Sequence, residues 1–373
     1  AQEKVLNLYS ARHYPSDQLL YDGFTKQTGI QIRRIEAGDE ALLERMRNEG
    51  ANSPADVVLL ASGTAMAQSP DMWHQDPYWS SGATTGHAPA DTVRFNASLG
   101  AMYLEGNEKV LVGNYTLSHL IWQTLTPVLR GGIAVDFGGG FNASLEGSTA
   151  AYGSGYMEDY DWLKGDDTFA NWSDRSQHPD TQLDHYFTGA AALGYELVND
   201  GNAVIRAHGG IKYTDVQWTA YGGTYVYSSP GGFRDIAGSI LDGVAGITYR
   251  QQLPELFLGV DGEEHYGNFR VGGLLRGGVT FLGVATDEHY LRDLRFVDSL
   301  WMAPTFSAGA DIGFALGRNA ELTLAARYDH IFEQRGDTKE YDTATGALTG
   351  DFIGSSAGAL RSAEITAGLK GSF

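Results

Sequence analysis

Two pairs of titratable residues, far apart in the chain, have the spacing that chemistry on a β-strand requires. Asp159 and Asp161 are two residues apart, and so are Asp287 and His289. Side chains two apart on an extended strand point to the same face, so each pair can present both polar groups to one site. Two carboxylates facing an Asp–His dyad predict a water-activating centre, in which Asp287 orients His289 as the general base.

The residue inventory limits the alternative chemistries. The chain has no Cys, so a thiol nucleophile is impossible. No H-E-x-x-H motif or comparable metal signature occurs in it. We therefore expect neither a metal nor a bound cofactor, and these residues favour water activation by acid and imidazole groups.

The composition is typical of a membrane β-barrel and excludes a helical membrane protein. The 373 residues include 49 Gly, 16 Phe, 20 Tyr and 7 Trp, while charged residues make up only 19%. Mean hydropathy is −0.25, and no apolar run approaches the ~20 residues that a membrane helix needs. Barrel strands alternate lipid-facing apolar with lumen-facing polar residues, so their average is mildly polar.

Strand-like alternation recurs towards the carboxyl terminus. In 363–373 the odd positions are Ala, Ile, Ala, Leu, Gly and Phe, and the even positions are Glu, Thr, Gly, Lys and Ser. The segments 306–316 and 320–328 alternate in the same way. A soluble sandwich with one buried face would also show this pattern. The length of the strands, their aromatic ends and the terminal Phe373 favour a barrel.

Two further stretches resemble signature segments of the omptins, which are aspartate/histidine-dependent proteases of the Gram-negative outer membrane. They are W-S-D-R-S-Q-H-P-D-T over 172–181 and G-G-T-Y-V-Y-S-S over 222–229. The resemblance covers residues 92–373 and includes, in the family's order, both pairs of titratable residues. It implies an all-β fold, an antiparallel up-and-down transmembrane β-barrel of roughly ten strands, in the outer membrane with its active site facing the cell exterior.

An up-and-down barrel places long polar loops at one end and short turns at the other. We expect the polar segments near 157–181, 222–243 and 284–298 to be outer loops, and 261–268 to be a tight inner turn. The inner turn contains E-E-H-Y, which nearly duplicates the D-E-H-Y of the dyad. His265 should therefore lie at the opposite end of the barrel from the active site, as a bystander.

Carried over residue by residue, the resemblance assigns catalysis to Asp159, Asp161, Asp287 and His289. It implies peptide hydrolysis by a water held between the aspartate pair and the imidazole, without a covalent enzyme intermediate. The predicted enzyme is an omptin-like endopeptidase.

The resemblance also implies that substrates are cut next to basic residues. Glu108 matches the family's acidic residue for the first basic side chain, and Asp174 matches the one for the next. The formal net charge of −20 favours basic peptide or protein substrates and disfavours nucleic acid. The chain departs from the family at Ala285, where a further acid often stands, so strict dibasic preference is left open.

Lipopolysaccharide is a candidate activator, because omptins typically need it and hold it with an arginine cluster on the barrel exterior. The corresponding region here reads I-K-Y-T-D over 211–215, and the next strand has Gln252 at the matching position. The arginine cluster is not reproduced. Lys212, Arg206 and Arg250 are the basic residues left as candidate lipid contacts, and no lipopolysaccharide site is assigned.

The first sixty residues have a different pattern, in which short apolar strands alternate with helical segments. Y-S-A-R-H-Y over 9–14 and E-G-A-N-S-P-A-D-V over 49–57 resemble the start of periplasmic ferric-ion-binding proteins. In that family the residues at the position of His13–Tyr14 help to bind iron, but the later tyrosine ligands have no counterpart here, so we expect no intact iron site. Strands are predicted over 5–9, 30–35 and 55–59, and helices near 16–28 and 39–49.

The predicted domain organisation has three parts. Residues 1–60 form an α/β fragment that resembles a periplasmic iron-binding protein. Residues 61–92 form a signal-peptide-like seam and flexible linker, and residues 93–373 form the omptin-like barrel. The sequence leaves open whether the joint is natural or engineered.

Three functions remain open at this stage. The favoured one is an outer-membrane endopeptidase. The alternatives are a fragment of a periplasmic ferric-ion-binding protein and a catalytically silent barrel that acts as an adhesin or pore.

Overall fold

The computed structural model of the protein describes residues 4–11, 17–59, 93–165 and 167–373. The His13–Tyr14 pair and the predicted seam over 61–92 lie outside the described residues. The chain divides into two compact units, Ala1–Gly82 and Ala83–Phe373. The finer limits of the fragment, linker and barrel remain predictions.

The first unit is a small α/β unit built on a three-stranded parallel sheet in the order β2-β1-β3. Its buried apolar residues, among those described, are Leu8, Tyr9, Ala11 and Leu42, and the last three form one cluster. Within the described residues, no helix is both long enough and apolar enough to cross a membrane. The predicted alternation of strands and helices is confirmed as β1 Val5–Ser10, α1 Asp17–Thr28, β2 Gln31–Glu36, α2 Asp39–Glu49 and β3 Val57–Leu59.

The second unit is one antiparallel sheet of thirteen strands. Two short 3-10 segments, Phe169–Asn171 and Tyr290–Arg292, interrupt the connections between them. The strands are β4 Val93–Val112, β5 Tyr115–Gly138, β6 Phe141–Ala150, β7 Ser154–Asp161, β8 Asp174–Asn199, β9 Ala203–Tyr227, β10 Ile236–Tyr266, β11 Phe269–Thr280, β12 Gly283–His289, β13 Leu294–Leu300, β14 Pro304–Ala315, β15 Ala320–Asp342 and β16 Leu348–Ser372.

The sheet closes on itself, because β16 pairs with β4 over seventeen residues from Ser356 to Ser372. Three sides of the ring are each made of two consecutive strands. β6 and β7 both pair with β5 and β8, β11 and β12 both pair with β10, and β13 and β14 both pair with β15. The thirteen strands therefore form ten walls, and the predicted antiparallel up-and-down barrel is confirmed.

An apolar belt covers the outer face of the half of the barrel that carries the short turns. Every wall contributes at least one exposed Leu or Ile, and aromatic pairs such as Phe95–Phe373 and Phe141–Tyr195 border the turns. Such a belt is the surface that a lipid bilayer requires. The exposed residues, one from each wall, are Leu99, Leu129, Leu145, Leu193, Ile211, Leu258, Leu275, Ile312, Leu324 and Ile365.

The apolar belt ends at the level where each wall made of two strands passes from one strand to the next. Tyr152 and Leu282, at two of these interruptions, have positive φ angles of 62° and 52° and point outwards. Beyond them the outer face of the barrel becomes polar, as at Glu158 on β7 and Glu288 on β12. β7, β12 and β13 therefore lie outside the membrane-spanning part of the barrel.

The predicted outer loops lie at the expected end, but they are shorter than predicted. Within those predicted segments, the described residues that lie outside strands are 162–165, 167–173, 228–235 and 290–293, so most of the segments 157–181 and 284–298 is strand. These segments show no clear alternation of apolar and polar residues, because both faces of the barrel are polar above the belt.

Ion pairs fill the lumen at the level of the belt. Arg130 contacts Glu146 at 3.0 Å, and Lys212 contacts Glu255 at 2.9 Å. Arg206 is likewise buried inside the barrel. The prediction that Lys212 and Arg206 could contact exterior lipid is therefore wrong, because the pleat of their strand turns both side chains inwards.

One glycine on the inner face of β4 lets an indole ring approach the backbone. A Cβ atom at Gly106 would lie 2.9 Å from Cη2 of Trp218, and that ring is fully buried. A Cβ atom at Gly277, which is exposed on β11, would meet no heavy atom within 4 Å. The two positions therefore differ in the space available to a methyl group.

We expect Gly106→Ala to lower the free energy of unfolding by about 1–3 kcal/mol, the usual cost of overpacking a core. The matched substitution Gly277→Ala should leave it unchanged. Thermal melts in detergent, followed by tryptophan fluorescence, measure both. Equal melting temperatures for the two variants would contradict the close packing of Trp218 on β4.

Candidate active site

Stacked aromatic rings from three walls form the floor of the candidate site. The ring of Trp122 on β5 stacks on Tyr249 of β10 at 5.8 Å and on Trp218 of β9 at 6.2 Å. Nε1 of Trp218 donates a hydrogen bond to Oγ1 of Thr124 at 2.9 Å, which fixes the indole. All three rings are fully buried, so they separate the polar mouth of the barrel from the lumen below.

The predicted aspartate pair lies on the inner face of β7. Met157, two residues before Asp159, packs in the same buried core as Trp122, which shows that this set of alternate residues faces the lumen. Oγ of Ser118 on β5 donates a hydrogen bond to Oδ1 of Asp159 at 3.0 Å. Asp161 lies opposite Ser118 in the register of the two strands.

Both aspartates hold their protons more tightly than an exposed carboxyl group. Burial raises the pKa of Asp159 to about 6, although the charge of His289 and the Ser118 hydrogen bond act against this rise. Burial and the neighbouring charge of Asp159 raise the pKa of Asp161. Two carboxylates that share one site cannot easily ionise together, so the pair keeps one proton to a higher pH than an isolated carboxyl group would.

The predicted dyad lies on the inner face of β12. Nε2 of His289 and Oδ2 of Asp287 are 2.6 Å apart, and Asp287 is buried. Phe296, opposite Asp287 on β13, meets the imidazole edge-to-face at 5.6 Å. The carboxylate and the phenyl ring together hold the imidazole in one orientation.

The aspartate pair and the dyad interact although they belong to opposite sides of the ring. Burial lowers the pKa of His289, but the charges of Asp287 and Asp159 and the hydrogen bond to Asp287 outweigh it, so the net pKa is raised. Conversely, the charge of His289 lowers the pKa of Asp159. The closed barrel therefore brings together the four residues that the sequence pairs only locally.

The two predicted substrate-binding acids lie beside these groups. Glu108, on the inner face of β4, is 3% exposed, and burial together with the charges of Asp287, Asp298 and Asp159 raises its pKa. Asp174, at the start of β8, lies opposite Asp161 in the strand register.

Hydrogen bonds already fix the carboxylate of Asp174. Oγ of Ser173 donates to its Oδ2 at 2.6 Å, and the backbone N–H of Ser228 donates to its Oδ1 at 3.0 Å. The structure therefore brings both predicted acids to the mouth of the barrel.

Two residues at the site were missed by sequence reasoning. Ser118 bonds to Asp159, and Asp298 on β13 is a buried acid whose pKa burial raises to about 7. Ser118 fits the ordinary alternation of β5, so nothing in the sequence marks it as a functional residue. Asp298 lies in a segment predicted to be a loop, and only the register of β12 and β13 reveals the face to which it belongs.

His265 lies at the other end of the barrel, as predicted. It is the penultimate residue of β10 and precedes the short turn at Gly267–Asn268. His289 lies at the end of β12, in the half of the barrel beyond the belt. The two similar sequence motifs therefore have different environments.

Comparison with known proteins identifies the barrel. Residues 89–373 match the model of the Omptin family. Protease 7 of Escherichia coli (strain K12) is 28% identical over 291 residues, which cover 76% of this chain and 91% of the relative. The crystal structure of the outer membrane protease OmpT from Escherichia coli superposes with a TM-score of 0.72 at 25% identity, covering 78% of this chain and 100% of that one.

The front of the chain has a separate relative. Iron uptake protein A1 of Synechocystis sp. (strain ATCC 27184 / PCC 6803 / Kazusa) is 53% identical over 58 residues. This match covers 16% of the present chain and 16% of that protein. The chain thus contains only a small part of such a protein.

The raised pKa of Asp159 predicts how stability depends on pH. An aspartate in the unfolded chain has a pKa of about 3.9, whereas the folded value is about 6. The folded state binds this proton more tightly, so the wild-type protein loses stability as the pH rises from about 4 to about 6, and the loss persists above that.

Asp159→Asn removes this loss. We expect the variant to melt at a higher temperature than the wild type at about pH 8 and at nearly the same temperature at about pH 4. Asp351→Asn, which changes an exposed carboxylate on β16, is the control and should show no such pH dependence. If Asp159→Asn melts below the wild type at about pH 8, the carboxylate is not the destabilising group described here.

Proposed function

Because this chain belongs to the omptin family and is an outer-membrane protease, we propose that it hydrolyses peptide bonds next to basic residues through an activated water. His289 is the general base, and Asp159 and Asp161 hold the water with it. The observation that carries the proposal is the 2.6 Å contact between His289 and Asp287, on an imidazole that also responds to the charge of Asp159.

The geometry of the dyad supports Nδ1 of His289 as the nitrogen that acts as the base. With Nε2–H of His289 donating to Oδ2 of Asp287, the other ring nitrogen, Nδ1, is free to accept a proton. The carboxylate then stabilises the imidazolium that forms as the water attacks the peptide carbonyl carbon. Asp287 acts by orientation and charge rather than by proton transfer.

The aspartate pair supplies the other side of the reaction. Asp159 in its ionised form accepts a hydrogen bond from the water, beside the one it receives from Ser118. Asp161, whose pKa is raised by burial and by Asp159, keeps a proton that it can donate to the substrate as the tetrahedral intermediate forms and collapses. No covalent bond between enzyme and substrate is required.

The charge of the protein supports a cationic substrate. Its formal net charge is −20, and Glu108 and Asp174 add carboxylates beside the catalytic groups. A peptide with basic residues on both sides of the cleaved bond would place one cation near Glu108 and the next near Asp174. Acids that line the cleft also raise the rate at which such peptides associate.

Lipopolysaccharide remains a candidate activator. Of the three basic residues considered from the sequence, only Arg250 lies outside the lumen, where it is half-exposed and pairs with Asp215 at 2.5 Å. An assay with a fluorogenic peptide that carries two basic residues, run with and without lipopolysaccharide, tests the requirement. A rate that is independent of lipopolysaccharide would exclude it as an activator.

A serine nucleophile is not supported, although 354–358 reads G-S-S-A-G and so has the G-x-S-x-G spacing. A nucleophile elbow needs a sharp turn from a strand into a helix. Here the segment lies within the long strand β16. Among the described residues, no histidine donates to or accepts from Ser356.

The alternative functions are less well supported than proteolysis. A passive pore needs an open lumen, whereas the described part of this barrel is crossed by ion pairs and by the stacked rings of Trp122, Trp218 and Tyr249. An iron-binding function would rest on a segment that spans 16% of the related iron uptake protein.

Replacing the proposed base tests the mechanism. We expect His289→Ala to lower kcat/KM for a fluorogenic peptide with two basic residues by about 10²–10⁴-fold, the usual contribution of a general base. His265→Ala, at the other end of the barrel, is the matched control and should keep full activity. Both variants should show the heat-modifiable migration of a folded barrel. Wild-type turnover by folded His289→Ala would rule out this base.

The pH dependence of kcat/KM follows from the raised pKa of His289. The base must be neutral, so activity falls as the pH decreases through that pKa, and the acidic limb should lie above 6.5. Asp287→Asn removes the largest charge that raises the pKa, so its residual activity should show a limb at lower pH. An acidic limb below 6.5, or one that Asp287→Asn does not move, would contradict the assignment.

A further inference from the structure

The departure at Ala285 is matched by an acid on the neighbouring strand. Ala285 on β12 and Asp298 on β13 are directly opposite in the antiparallel register. Directly opposite residues point to the same face of a sheet, and both are buried on the inner face, Ala285 being 1% and Asp298 4% exposed. The small alanine leaves this part of the lumen to the longer side chain beside it.

A hydrogen bond holds the carboxylate of Asp298 in place. Oγ1 of Thr338 donates to Oδ1 of Asp298 at 2.7 Å, and this bond is buried. Thr338 lies opposite Asp298 on β15, so the backbone register fixes both partners. The carboxylate is therefore presented at a defined position on the wall rather than on a mobile loop.

The acids around this position have few cationic partners. Oε2 of Glu108 and Oδ1 of Asp287 are both buried, and neither accepts a hydrogen bond from a cationic side chain among the described residues. Neither Glu108 nor Asp298 forms a salt bridge within the part of the chain that the structure describes. Burying carboxylates without partners is costly, and a positively charged group entering the mouth would offset that cost.

We propose that Asp298 supplies the carboxylate that position 285 lacks, so that Glu108 and Asp298 together bind the first basic side chain of the substrate. This assignment rests on the proposed protease function. It makes Asp298 a specificity-determining residue that lies on β13, whereas position 285 lies on β12. Basic preference is therefore retained in spite of Ala285.

The chemistry of the site favours an arginine side chain as the occupant. A guanidinium carries five N–H donors in a planar fork and can bond to two carboxylates that approach from different walls. A metal ion is a weaker candidate, because the described residues contain no group of three or more side chains arranged to hold one.

Two peptides that differ only in charge at this position test the proposal. One carries arginine before the cleaved bond, and the other carries citrulline, which has nearly the same shape and no charge. For Asp298→Asn we expect kcat/KM to fall about 10- to 100-fold on the arginine peptide, the range for lost hydrogen bonds to a charged group. On the citrulline peptide it should stay the same or rise.

Two further variants complete the experiment. Glu288→Gln changes an acid on the outer face of the same strand pair, where it contacts Arg295, and should leave both rates unchanged. Combining Asp298→Asn with Ala285→Asp returns a carboxylate to the same face and should restore most of the rate on the arginine peptide. Asp298→Ser replaces Asp298→Asn if the latter does not show the heat-modifiable migration of a folded barrel.

The outcomes separate this inference from the function on which it rests. If the wild type cleaves neither peptide, the proposed specificity fails and the role of Asp298 falls with it. If the wild type prefers arginine but Asp298→Asn keeps that preference, or loses both rates equally, the assignment of Asp298 is wrong and the protease function stands.

Discussion

Uncompensated negative charge at the mouth of the barrel is the constraint on which the site depends. At the level of the belt, acids in the lumen are paired with cations, as Glu146 is with Arg130 and Glu255 with Lys212. On the mouth side of the aromatic floor, the acids are no longer each paired with a cation. Among the described residues there, Asp287 forms an ion pair with the imidazole of His289, and Arg292 acts on Asp159 and Asp161 only through its charge. Elsewhere in the lumen, arginine or lysine side chains neutralise such charge. Unneutralised acids lower stability, and they are typical of functional sites.

The same charge has two chemical consequences. It raises the pKa of His289, which keeps the imidazole a strong base, and it raises the pKa of Asp161, which keeps one carboxyl group protonated as an acid. It also creates a place for a cationic side chain beside Glu108. Catalysis and specificity therefore arise from one feature, because the acids that activate the water and the acids that select the substrate lie together in one cluster with few cations.

Local patterns in the sequence predict the strands and the dyad, whereas long-range register does not follow from them. The alternation over 363–373 and the two-residue spacing of Asp287 and His289 are properties of single strands, and both hold in the structure. The role of Asp298 depends on which residue it faces on another strand. The segment 284–298 was predicted to be a loop because, above the belt, neither face meets lipid and the apolar signal is lost.

The central claim is that Asp159 and His289, from opposite walls, share one site. The most direct test is to titrate His289 by nuclear magnetic resonance in detergent-solubilised protein with labelled histidine, its signal being assigned by its loss in His289→Gln. The structure predicts a pKa above 6.5 in the wild type and a lower value in Asp159→Asn, because one of the two carboxylate charges that raise it has been removed. A pKa at or below 6.5, or one that Asp159→Asn leaves unchanged, would show that the two groups do not meet.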